Sequence, residues 1–137
     1  MDVSKLAKIY AQTLVLFLLL DATWIGVIGA GFYKAQIGFL MAANPNWLAA
    51  ALFYVLYIAG LQLFVILPAL KQRSTALGAF LGGAFGLLTY ATYDLTNLAT
   101  LDRWPVLVTV VDLLWGTFLC TAVCAAIVNW HSRPAAR

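Results

Sequence analysis

Glutamate is absent from this 137-residue sequence, and charge of either sign is scarce, at 9% of residues. A soluble domain carries about 25% charged residues, so this chain is not built to be surrounded by water. Histidine occurs once, as His131, beyond the last apolar run. One terminal histidine excludes a bis-histidine haem within a single chain. The two cysteines, Cys120 and Cys124, lie inside an apolar run. Their spacing is not C-x-x-C, and no second ligand pair exists to complete a zinc site. They read as small apolar filler. No cofactor and no metal are expected. The net charge is +3, but the basic residues are scattered, which argues against a nucleic-acid partner.

What the sequence has in quantity is long hydrophobic runs. Hydrophobic residues make up 64% of it, and the mean hydropathy is +0.94. A helix crossing the hydrocarbon layer needs about 20 mostly apolar residues. Four windows satisfy this, at about 9–29, 47–70, 76–98 and 105–128. The runs are continuous rather than alternating, which excludes a transmembrane barrel. The expected fold is therefore all-α, an integral membrane four-helix bundle forming one domain over residues 1–137. The start resembles a signal peptide, with Lys5 and Lys8 before a Leu-rich core. Asp21 interrupts that core and three more spans follow, so the segment reads as an uncleaved first helix.

The flanking charges set a topology. Lys5, Lys8, Lys71, Arg73, Arg133 and Arg137 fall on one side, and only Lys34 and Arg103 on the other. The positive-inside rule then puts both termini in the cytoplasm. Aromatic anchors agree, with Tyr33, Trp47 and Trp104 at the outer face and Tyr10 and Trp130 at the inner. Asn44-Pro45-Asn46 offers a turn and a cap before span two. Asp102 is expected to cap span four, with Pro105 in its first turn. Pro68 either stops or bends span two. The longest connection, 30–46, fits an interfacial helix or a continuation of span one.

The five acids are Asp2, Asp21, Asp94, Asp102 and Asp112. Three of them, Asp21, Asp94 and Asp112, fall inside spans, where each costs roughly 2.5–3.5 kcal/mol or more at a helix centre. Helical rise gives their depth. Asp21 lies roughly 18 Å beyond the cytoplasmic start of span one, Asp112 roughly 10 Å below the outer start of span four, and Asp94 roughly 6 Å below the outer end of span three. Three separate helices thus place a carboxyl in the outer half of the bilayer, which points to one shared polar site. Tyr90, Asp94 and Asn97 follow i, i+4, i+7 and share a face. Span two brings Tyr54 and Tyr57 to similar depth. "DATW", Asp21 to Trp24, and "DLLW", Asp112 to Trp115, repeat a D-x-x-W pattern on oppositely running helices, as an inverted repeat would. Gly78, Gly82 and Gly86 form a small-xxx-small series suited to close helix contact.

The stretch "YDLTNLATLDRWP", with the earlier "LDATW" and the later "DLLWG", resembles the small bacterial inner-membrane proteins grouped as the family DUF2177. The likeness covers nearly the whole chain. Its motifs fall here on Asp21, Trp24, Tyr93, Asp94, Thr96, Asn97, Asp112 and Trp115. The resemblance implies four spans and residence in the bacterial inner membrane, and it brings no activity.

Function is read from the acids. Asp21, Trp24, Tyr54, Tyr90, Asp94, Asn97, Asp112 and Trp115 are the expected ligand-binding set, in an outward-facing pocket. Acids and aromatics together suit a small cationic or amphiphilic ligand, with proton-coupled transport as its use. Four helices are few for a wide pathway, so transport implies a homodimer. Two other readings stay open. One is a membrane-embedded acid/base enzyme acting on a lipid. The other is a structural subunit whose buried Asp residues only accept hydrogen bonds from Tyr and Trp. Membrane lipids are partners in every case.

Overall fold

The computed structural model describes residues 2–132; Arg133 and Arg137, counted above for topology, lie outside the described residues. The first rod is α1 (Val3–Thr23), prolonged by a π-helical turn at Trp24–Ile28. A bend at Gly29 leads into α2 (Ala30–Ile37) and a 3-10 turn at Gly38–Leu40. The second rod is α3 (Trp47–Leu61), a π turn at Gln62–Ile66 and α4 (Leu67–Lys71). The third is α5 (Thr75–Thr100) and the fourth α6 (Val106–Ser132). Each rod has 25 to 27 residues, enough to cross a bilayer, and no strand occurs among the described residues. The protein is an all-α membrane bundle with four candidate spans. Its lipid-facing surface is apolar, with Leu19, Leu56, Phe80 and Leu114 all more than 60% exposed.

Helix ends follow local chemistry. Asn46 caps α3 as expected, its Oδ1 accepting from the Ala49 amide at 3.0 Å. Ser74 caps α5, accepting from the Leu77 amide at 3.1 Å. The chain reaches Ser74 through a tight turn in which Arg73 adopts φ 49°, so α4 and α5 are close antiparallel neighbours. Pro68 does not stop its helix. It lacks an amide hydrogen and crowds the carbonyl four residues back, and the π turn just before it absorbs the misfit. Asp102 does not cap α6. It lies in the turn before that helix, and the Pro105 carbonyl instead accepts from the amides of Val108 and Thr109. The first rod starts at Val3, earlier than the apolar window, because Lys5 and Lys8 favour helix as strongly as the leucines do.

The closest pairing is α5 against α6. Gly78, Gly82 and Gly86 are buried along that seam. A Cβ on Gly82 would stand 2.6 Å from the Cys120 carbonyl oxygen, and one on Gly86 would overlap the Gly116 carbonyl. The glycines therefore let two backbones touch, the packing expected of small residues in a membrane. Cys120 and Cys124 are buried and free within the same seam, though Cys120 is more than filler: its Sγ lies 3.2 Å from the Tyr57 hydroxyl. The apolar core, with Ile9, Phe17, Ile58, Leu61, Leu119 and Val123 at its centre, occupies the half nearer the termini. Tyr10 does more than face the inner interface. Its hydroxyl crosses to the Val55 carbonyl at 2.9 Å and ties the first rod to the second.

Candidate functional site

At the end distal to the termini, the rods diverge around a cavity of about 780 Å³. Asp21 of α1 and Asp112 of α6 reach its wall, together with Tyr90 of α5. Asp21 is 3% exposed and fully engaged: Tyr54 donates to its Oδ2 at 2.7 Å, and the Trp115 indole to its Oδ1 at 3.1 Å. Asp112 is 9% exposed and accepts from the Tyr33 hydroxyl. The Trp24 indole in turn donates to Tyr33 at 3.0 Å.

The two D-x-x-W segments are therefore crossed. The indole of the second motif serves the acid of the first directly, and the indole of the first serves the acid of the second through Tyr33. The two indoles also stack on each other, centroids 4.5 Å apart and planes 12° from parallel. Stacks of this kind contribute about 0.5–1.5 kcal/mol beyond their burial.

Tyr33 is the residue that sequence reasoning misplaced. It was expected as an outer-face anchor; instead α2 turns back and carries its ring into the cavity wall. The bend depends on Gly29, whose Cβ, if present, would stand 2.8 Å from the Tyr33 ring. The Gly29 amide closes the π turn by donating to the Trp24 carbonyl at 2.6 Å. This wider turn behaves as a one-residue insertion and sets the direction of Trp24. Burial, and then the bond to Asp112, push the Tyr33 hydroxyl above its ordinary range, so it remains a donor. Trp104 was likewise expected as an anchor. It is 8% exposed, lines the cavity, meets Tyr93 edge-on and donates to Thr109 Oγ1 at 3.1 Å.

Asp94 is different from the other two acids. It is 0% exposed, and neither carboxyl oxygen has a hydrogen-bond partner. The group that faces it is another carboxyl, Asp112, which can donate only when protonated. No cationic side chain pairs with Asp21, Asp94 or Asp112 among the described residues. A carboxylate isolated in this way must be offset by a proton or a bound cation.

The remaining expected residues divide. Tyr90 lines the cavity, its ring seated over Gly116 of α6. Tyr54 sits behind Asp21 as its donor and does not line the cavity. Asn97 is half-buried one turn beyond Tyr93 and does not line it either. At the rim stand Lys34, Ile37, Phe39 and Met41 from α2 and the segment after it, with Arg103 over the Phe39 ring at 4.4 Å. Among the described residues, no group of three or more acidic, histidine or cysteine side chains is arranged to hold a metal ion.

The fold and this polar layer define a small polytopic membrane protein with carboxyls buried at one end of a four-helix bundle. The chain belongs to the family described as predicted membrane protein DUF2177, whose model matches residues 6–129. No curated protein and no solved structure matches it.

Proposed function

We propose that the cavity binds a small cationic or amphiphilic ligand, with Asp94 and Asp112 exchanging a proton for the ligand's charge. The observation that carries this reading is the bare Asp94 carboxyl, buried without a donor beside Asp112. Asp94 faces Asp112, and only Asp112 of the two lines the cavity, so a cation entering beside Asp112 would take the place of a proton held between them. Seven aromatic side chains line the cavity, which supports a cationic guest over a neutral one. Lys5, Lys8, Lys71 and Arg73 lie at the opposite end from the cavity. By the positive-inside rule this supports cytoplasmic termini in a bacterial inner membrane and a cavity that opens outward.

Calorimetric titration with tetramethylammonium at low and high pH tests the reading. A cation competes with the proton, so affinity rises with pH in the native chain. Asp94→Asn keeps the shape and removes the charge, so it weakens binding and levels the pH dependence. Equal affinity at both pH values, unchanged in Asp94→Asn, defeats the proposal. A second reading, acid/base chemistry on a lipid, draws on the Tyr33–Asp112 bond, which joins a proton donor to the same carboxyl pair. Lipid extracts of a deletion strain that match wild type would remove it.

A further inference from the structure

The cavity is not uniform in charge, and the gradient bears on the ligand. Its buried part holds Asp21 and Asp112, with Asp94 facing Asp112 from outside the lining, while its exposed rim holds Lys34, with Arg103 nearby over Phe39. A simple cation would be drawn to the buried part and repelled at the rim. A headgroup with a positive end and a negative end would satisfy both. The lining also includes Trp24, Tyr33, Tyr90, Tyr93, Trp104 and Trp115. Aromatic side chains lining a cavity that also holds carboxyls suit an alkylated ammonium, which binds through ring quadrupoles and asks for no hydrogen-bond acceptor.

A second feature sets where the rest of the ligand goes. The stacked pair Trp24 and Trp115 also forms one wall of an adjacent apolar groove of about 340 Å³, completed by Val111, Leu114 and Phe118. Leu114 is 68% and Phe118 60% exposed on the lipid-facing side of α6. The acid-bearing cavity and the groove therefore share a wall. A chain attached to a headgroup in the cavity can lie in the groove without leaving the hydrocarbon.

We infer that the ligand is a zwitterionic membrane amphiphile, its alkylated ammonium held among the aromatic side chains, its phosphate at Lys34 and its acyl chain along Val111, Leu114 and Phe118. This rests on the cationic-ligand reading above and narrows it to one class.

Native mass spectrometry of the full chain, released from neutral maltoside micelles, compares three probes at fixed mole fraction. They are tetramethylammonium, dodecyltrimethylammonium and dodecylphosphocholine. The expected order is dodecylphosphocholine first, then dodecyltrimethylammonium, then tetramethylammonium. The step between the two tailed probes is set by Lys34 and is roughly fivefold, the scale of a partly exposed ion pair. Lys34→Glu should reverse that step. Leu114→Trp fills the groove from the lipid side, so it should weaken both tailed probes and leave tetramethylammonium unchanged. Thermal melting of each variant checks that the bundle still folds. The inference is overturned if the zwitterion shows no advantage, if Lys34→Glu leaves the order intact, or if Leu114→Trp leaves tailed probes unaffected. In each of those cases tetramethylammonium binding still stands, and with it the broader reading. Failure of all three probes to bind defeats both.

Discussion

Asp21 and Asp94 are both carboxyls buried within spans, yet their surroundings are opposite. On the α1 side, Asp21 receives a tyrosine hydroxyl and an indole, one on each oxygen. On the α5 side, Asp94 receives neither and faces Asp112. Burial alone would treat the two alike. The donor count separates them: an acid with both oxygens engaged ties helices together, whereas one left without a donor costs stability. The bonding role that composition allowed for all three acids thus fits Asp21 well, whereas Asp94 can play it only toward a protonated Asp112.

Substitutions can sharpen or break this contrast. The largest effect is expected for Asp21→Leu, which strands the Tyr54 hydroxyl and the Trp115 indole N–H. Loss of about 2–4 kcal/mol should appear in reversible unfolding in mixed micelles. A loss below about 1 kcal/mol would mean that those two donors find water or lipid instead. Next comes Tyr33→Phe, which removes the donor to Asp112 and the acceptor of Trp24. It should cost about 1.5 kcal/mol and speed amide exchange in α2, with α5 unaffected. Asp94→Asn should go the other way. Removing an unpartnered charge leaves stability unchanged or raises it by about 1 kcal/mol. If Asp94→Asn destabilises as much as Asp21→Leu, the contrast collapses and Asp94 is a structural acid after all. The smallest effect belongs to Asp102→Ala. That side chain caps no helix, so the melting temperature should not move measurably, and a drop of several degrees would restore it as a cap.

The legible part of the structure follows from lengths and counting. Four spans came from run length, because a bilayer demands a fixed number of apolar residues whatever the tertiary packing. The shared layer of Asp21, Asp94 and Asp112 came from rise per residue alone, and the structure brings Asp21 and Asp112 to one cavity wall with Asp94 facing Asp112 from outside the lining. The cap at Asn46 was equally local. What escaped was direction. Tyr33 and Trp104 carry the amphipathic chemistry of interfacial residues, and only the bend at Gly29 and the fold of the turn before α6 send them inward. Gly29, a small residue where the apolar run ends, was the one available cue, and it signals a close approach without saying of what. The π turn at Trp24–Ile28 has no distinct sequence pattern and escaped for the same reason.

The stacked Trp24 and Trp115 rings carry one more consequence. Two indoles with centroids 4.5 Å apart and nearly parallel planes are close enough for their ultraviolet transitions to couple. One ring belongs to the turn that leads into α2 and the other to α6, so any separation of those segments parts the two chromophores. The stack thus offers an intrinsic reporter of that joint, to be sought as an exciton signal in near-ultraviolet circular dichroism that Trp24→Phe abolishes.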